Sequence, residues 1–219
     1  MLTDFDGTIS TIDTAEFALD KFADRNWRTI DEQLERGEIT FEESLEREFA
    51  MLKVSKKKIL DALEHSTEFR SNFDILVDYC KKRGFPLIIV SGGLDFCIRH
   101  FLDLGGWSEL KIVAPKSKWT RKGILLQFSK RFDRTSSNLK DDLVRFYKKR
   151  GQRVVYIGNG LGDFPAAQLA DLAFAIKGSK LAELCGTNGV RCREITDFRP
   201  VVESIESWIQ KGARKRSNV

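Results

Sequence analysis

Three short, unbroken apolar runs constrain the fold of this 219-residue chain more than any other feature: Pro86-Leu87-Ile88-Ile89-Val90, Arg153-Val154-Val155-Tyr156-Ile157 and Leu172-Ala173-Phe174-Ala175-Ile176. A strand with one wet face alternates apolar and polar residues, whereas a continuous run is buried on both faces. Stretches of helical period separate the runs, over 95–104, 138–150, 164–170 and 198–210. Ile112-Val113 is a weaker strand candidate, and Gly123-Ile124-Leu125-Leu126-Gln127-Phe128 reads as half of a hairpin. Strands alternating with helices predict an α/β fold with a doubly wound parallel sheet covered on both sides.

The stretch from Thr14 to about Lys82 is different. Its apolar residues keep a helical period, as in Ala15, Phe17, Ala18, Phe22 and again in Phe41, Leu45, Phe49, Leu52. Thr40-Phe41-Glu42-Glu43 has the form of a capping box, and no proline interrupts the stretch, so it reads as a helical bundle.

Open parallel sheets bind ligands at the carboxyl ends of their strands, so the polar residues after each apolar run are the ones to inspect. Asp4-Phe5-Asp6-Gly7-Thr8 opens the chain. Carboxylates at i and i+2 of an extended segment point to the same side, and a hard cation takes oxygen ligands from such groups together with a substrate phosphate. Gly7 permits a sharp turn and Thr8 adds a hydroxyl donor. Only Met1-Leu2-Thr3 precede Asp4, which predicts either an unusually short first strand or missing residues before it. Ser91-Gly92-Gly93 follow the run Pro86–Val90, and Gly158-Asn159-Gly160-Leu161-Gly162-Asp163 the run Arg153–Ile157, with Lys140 at the start of the helix leading into the latter. Carboxylates, a hydroxyl, a lysine and an Asn/Asp pair thus converge as a phosphate-plus-metal constellation.

Composition excludes several other classes. No run of 18 apolar residues is present, and the N-terminus lacks the basic-then-apolar pattern of a secretory signal, so a cytosolic protein is expected. Formal charge is +5, and much of it sits in Lys211, Arg214, Lys215 and Arg216, a polar tail without apolar period. No aromatic-interleaved basic stripe is visible, which argues against nucleic acid as a partner, and nothing points to a membrane. Cys80, Cys97, Cys185 and Cys192 form no C-x-x-C pair, and His65 and His100 stand alone, so a zinc or thioredoxin-like reading has no support.

The four motifs in this order resemble the haloacid dehalogenase superfamily of phosphatases, in its phosphoserine phosphatase-like branch, and within it the group acting on 2-hydroxy-3-keto-5-methylthiopentenyl-1-phosphate. The resemblance runs from Leu2 to Trp208. It implies a Rossmann-like core over 1–12 and 80–212, a helical cap of the C1 type over 13–79, and a tail over 213–219. It implies Mg²⁺-dependent hydrolysis of a small phosphorylated metabolite by a monomer or homodimer. Asp4 would be the nucleophile and Asp6 the general acid and base. Thr8, Asp13, Arg47, Ser91, Gly92, Gly93 and Lys140 would bind the substrate or its phosphate. Mg²⁺ would be held by Asp4, the Asp6 carbonyl, Asn159 and Asp163.

The chain departs from the pattern at two places. Asn159 stands where this family usually has Asp, so the metal site has one negative charge fewer. In the cap, phosphoserine phosphatases grip the substrate carboxylate with an arginine, and here Glu48 takes that place with Arg47 one step before it. Asp13 occupies the acidic position nine residues after the nucleophile, as in the methylthiopentenyl-phosphate enzymes. Phosphoserine is therefore disfavoured as substrate. Phosphoserine hydrolysis, phosphoryl transfer to another alcohol, and a weakly active phospho-ligand binding protein explained by Asn159 remain the alternatives.

Overall fold

The computed structural model describes the backbone of residues 1–217 and the side chains of residues 1–211. In chain order the elements are β1 (Leu2–Thr3), α1 (Thr14–Phe22), α2 (Arg28–Glu35), α3 (Phe41–Phe49), α4 (Lys56–Leu63), α5 (Phe73–Arg83), β2 (Ile88–Val90), α6 (Asp95–Leu104), β3 (Lys111–Val113), β4 (Lys116–Thr120) and β5 (Gly123–Gln127). They continue with α7 (Leu139–Lys148), β6 (Val155–Gly158), a 3-10 turn (Leu161–Asp163), α8 (Phe164–Leu169), β7 (Leu172–Ile176), α9 (Lys180–Thr187), β8 (Arg193–Ile195) and α10 (Arg199–Ser217).

Six strands make one parallel sheet in the order β3-β2-β1-β6-β7-β8. The expected α/β doubly wound architecture is the one observed. β1 is two residues long yet central: Leu2 pairs with both Ile88 and Tyr156, Thr3 with both Ile89 and Ile157. Two buried clusters cover the faces of the sheet. Leu2, Ile88, Val90 and Tyr156 meet Leu143, Val144, Ala166 and Leu181 of α7, α8 and α9. The alternate residues Ile89, Ile157 and Phe174 meet Phe73, Ile98, Phe101 and Val201 of α5, α6 and α10. Burial on both faces is what the unbroken apolar runs required.

α1 to α4 form the insertion between β1 and β2. Their ends are set by local chemistry: Asp13 caps α1 through Ala15 and Glu16, Ser55 caps α4, and Thr40 and Glu43 close the expected capping box on α3. The boundary expected at residue 79 falls inside α5, which packs on the sheet side with Phe73 against Phe198 at 5.2 Å. β4 and β5 form the antiparallel hairpin of which Gly123 to Phe128 suggested one half. It leans on the insertion: Trp119 Nε1 donates to the Val54 carbonyl at 3.1 Å, and Gly123 (φ +112°) lies so close to the Ala50 carbonyl that no side chain fits.

Two elements were not anticipated, α9 and β8. The polar tail expected over 213–219 continues α10 as far as Ser217, and residues 218 and 219 lie outside the described residues. No helix among the described residues is long and apolar enough to cross a membrane.

Candidate active site

The carboxyl ends of β1, β2 and β6 open into a cavity of about 390 Å³, a size suited to a small-molecule ligand. Asp4, Asp6, Ser91, Lys140 and Asn159 line it from below. Glu16, Asp31, Phe41 and Glu48 line it from the helical insertion.

β1 delivers Asp4 directly: the Asp4 N–H donates to the Ile157 carbonyl at 2.9 Å, so the residue still belongs to the sheet's edge. The chain then turns at Gly7 (φ +67°), where a side chain would collide with the Asn159 amide. Arg70 fixes this turn, donating to the carbonyls of Gly7 and Thr8 at 2.8 Å each. Asp6 is buried, and its Oδ1 accepts from the Thr14 N–H at 3.0 Å and the Thr14 hydroxyl at 2.5 Å. Its other oxygen accepts from the Ser91 hydroxyl at 3.3 Å. Ser91 in turn accepts from the Gly93 N–H at 2.9 Å, and Gly93 must be glycine because a side chain there would strike the Asp6 carboxylate.

Lys140 enters from the first turn of α7, which Asn138 caps. Its Nζ lies 3.0 Å from Asp4 Oδ2 and 2.6 Å from Asp163 Oδ1. Asp163 is fully buried and its carboxylate is completely engaged. Oδ1 also accepts from the Tyr156 hydroxyl at 2.5 Å, and Oδ2 accepts from the N–H groups of Asn159 and Gly160 at 2.9 and 2.8 Å.

One lysine against several carboxylates leaves this cluster electrostatically unbalanced. Burial, then the charges of Asp163 and Asp6, push the Asp4 pKa up to about 8 although Lys140 pulls it down. Burial likewise raises Asp6 against the hydrogen bonds from Thr14. For Lys140 itself burial opposes the charge, but Asp163 and Asp4 more than compensate and its pKa is raised. A divalent cation would restore the balance. Asp4, the Asp6 carbonyl and the Asn159 side-chain oxygen are all hard oxygen donors, which suits Mg²⁺.

The expected site residues do not all reach the cavity. Asp4, Asp6, Asp13, Ser91, Gly92, Gly93, Lys140 and Asn159 line it. Thr8 is buried behind it, donating to Asn159 Oδ1 at 3.0 Å, so it orients the amide rather than facing a phosphate. Asp163, expected as a metal ligand, is turned to Lys140, Tyr156 and two backbone N–H groups instead. Arg47, expected at the substrate, is exposed and donates to Gln33 Oε1 at 2.8 Å. The helical phase of α3 turns Ser44, Leu45, Glu48 and Phe49 inward and Arg47 outward. Glu48, 7 % exposed, takes the place in the wall. Phe41, Thr14, Arg70 and Tyr156 also support the site without having been singled out. Phe41 was visible as the first apolar residue after the capping box.

Phe41 packs the helical insertion against Gly92 and Gly162 of the core. A methyl at Gly162 would lie 2.7 Å from its ring, and one at Gly92 would lie 3.0 Å from it. Arg131 joins Glu42 across the same seam at 2.8 Å.

A family model described as haloacid dehalogenase-like hydrolase matches residues 1–168. The 2-hydroxy-3-keto-5-methylthiopentenyl-1-phosphate phosphatase of Brevibacillus brevis is 28% identical over 180 residues, 80% of this chain and 81% of that protein. The enzyme of the same name from Bacillus velezensis is 26% identical over 96% of this chain and 94% of its own length. Among solved structures, a phospho-aspartyl intermediate analogue of phosphoserine phosphatase superposes with a TM-score of 0.69 at 21% identity, covering 93% of this chain and 96% of that one. At that identity the superposition speaks for the fold.

Proposed function

The chain belongs to the haloacid dehalogenase-like hydrolase family, a phosphatase acting on a small phosphorylated metabolite, and from that premise we propose that it works through an aspartyl-phosphate on Asp4 with Mg²⁺ bound. The observation that carries the reading is the 3.0 Å contact between the buried Asp4 carboxylate and Lys140, inside a cavity shared with Asp6 and Ser91.

An Asp4 carboxylate oxygen attacks phosphorus, and the bond from phosphorus to the ester oxygen breaks. Asp6, entering the step protonated, gives its proton to the departing alkoxide. Its raised pKa, caused by burial, favours that protonated form. Water then attacks the phosphoryl group and loses a proton to Asp6. The bond from phosphorus to Asp4 breaks, and inorganic phosphate leaves. Lys140 and the Ser91 hydroxyl face the phosphoryl oxygens and stabilise the charge that builds on them. Mg²⁺, held by Asp4, the Asp6 carbonyl and Asn159, would offset the negative charge shared by carboxylate and phosphate. Asp163 and Thr8 position Lys140 and Asn159. The cap excludes water while the ester is bound, with Phe41 as its seal.

A substrate carboxylate would face Glu48 rather than an arginine, so phosphoserine is disfavoured. Four free cysteines, three of them buried, fit a reducing compartment such as the cytosol. Phosphate release from a panel of phosphomonoesters, with and without Mg²⁺, tests the reading in wild type and Asp4→Asn. Metal-dependent turnover that vanishes in the variant is expected. Turnover that persists in Asp4→Asn would remove the covalent step.

A further inference from the structure

The cap places four carboxylates in the cavity wall: Glu16 from α1, Asp31 and Glu35 from α2, and Glu48 from α3. Glu35 has a counter-charge, Lys180, at 3.8 Å. Glu16, Asp31 and Glu48 have no hydrogen-bond or ion-pair partner for their carboxylates among the described residues. Glu48 is the telling one: the residue is more than nine-tenths buried, and its carboxylate is turned to the cavity with no partner for its charge. Lys140 is paired with Asp4 and Asp163 and Arg47 with Gln33, while Arg28 is paired with Asp20 and offsets only part of the charge of Glu16 and Asp31.

Such a wall favours a phosphate ester whose other end is positive over one whose other end is neutral or anionic. Carboxylates spread over three helices suit a larger, diffuse charge. Trp27, buried and also lining the cavity, and Phe41 add aromatic surface, and each already has a cation over its ring, Arg28 at 4.6 Å and Lys140 at 5.9 Å.

We propose that the substrate's leaving alcohol carries a cationic nitrogen, an ammonium or quaternary ammonium centre, which Glu48, Asp31 and Glu16 hold while the phosphoryl group meets Asp4 and Lys140. The assignment rests on the phosphatase reading of the same site. Burial and the charges of Asp31 and Glu16 push the Glu48 pKa up to about 8, a penalty that a cation in the cavity relieves.

The test compares phosphocholine with its uncharged isostere 3,3-dimethylbutyl phosphate, and phosphoethanolamine with propyl phosphate. Calorimetric Kd and kcat/KM are read for wild type, Glu48→Gln and Asp31→Asn, each checked for folding by urea unfolding. The cationic member of at least one pair should be favoured by about tenfold or more, and the preference should fall severalfold in either variant. Equal or better binding of the isosteres, no measurable binding of either cationic ester, or a preference undiminished in both variants overturns the proposal. Asp31 is less buried than Glu48, so its variant decides the matter if Glu48→Gln does not fold. Phosphate release from p-nitrophenyl phosphate is followed separately. Its absence would sink the phosphatase reading, while the binding ratios still report on the charge preference.

Discussion

Asp163 holds Lys140 in place: the two charges meet at 2.6 Å, and the other contacts of Asp163, to Tyr156, Asn159 and Gly160, fix the carboxylate from behind. Asp163→Asn keeps the shape and removes the charge, so Lys140 loses its anchor. We expect kcat for ester hydrolysis to fall about 10²–10³-fold. Lys140→Met leaves Asp4 and Asp163 buried without a counter-charge and should destabilise the fold by about 3–5 kcal/mol in urea unfolding. Turnover within threefold of wild type in Asp163→Asn would mean that Lys140 needs no such support.

The cap seam can be pried apart at one atom. Gly162→Ala puts a methyl 2.7 Å from the Phe41 ring, which must move. Overpacking of this kind costs about 1–3 kcal/mol, and displacement of the ring should raise KM several-fold. Gly160→Ala is the stability control, since its methyl meets only Asp163 Oδ2 at an ordinary 3.7 Å. Steady-state kinetics and urea midpoints for the pair separate a local clash from a general intolerance of alanine.

Asn159→Asp adds the missing negative charge beside Asp4, in reach of the Thr8 hydroxyl that now orients the amide. Tighter cation binding should follow, with the half-saturating Mg²⁺ concentration falling by about tenfold. Calorimetric titration of Mg²⁺ into both proteins reads this directly. An unchanged Mg²⁺ affinity would take position 159 out of the proposed metal site.

Glu48 makes stability depend on pH. Its folded pKa is about 8 through burial and the neighbouring Asp31 and Glu16, against an unfolded value of 4.5. The folded state therefore holds a proton that the unfolded state releases. That contribution is fully present below pH 4.5 and is lost as pH rises towards 8, with a slope of at most about 1.4 kcal/mol per pH unit. Glu48→Gln cannot titrate, so its urea stability should fall less steeply between pH 5 and 8 than wild type does. Identical slopes would show that Glu48 is solvated and ionised throughout.

Much of this was legible in the residues. The central strands announce themselves because both faces are buried, and three of the four motifs lie at the strand ends where a parallel sheet presents ligands, with Lys140 in the first turn of α7. β8 escaped because Arg193-Glu194-Ile195 buries only Ile195, so an edge strand of this kind carries no apolar run. α9 is short and ends through Gly186 and Thr187, which blur its period. In the site, Asp163 and Thr8 carry the residue types of ligands, and only three-dimensional neighbours reveal that their polar atoms are already committed. The exchange of Arg47 for Glu48 was within reach. Glu48 lies three residues after Leu45 and four after Ser44, on the inward stripe, whereas Arg47 lies off it. A charge on an apolar stripe reads as a misfit until the cavity beside it is seen.

The hairpin against the cap has a mechanical consequence. Gly123 lies against the Ala50 carbonyl and Trp119 is hydrogen-bonded to Val54, so β4 and β5 are fastened to the helical insertion although they leave the chain after β3. A lid hinged only at its two covalent ends could twist as well as swing. The insertion has a third attachment, and were it to open as the proposed cap without breaking that attachment, the hairpin would travel along, flexing at 114–115 and 128–130. Stiffness at those two short segments, far from any reacting atom, would then govern how quickly the active site exchanges its contents with solvent.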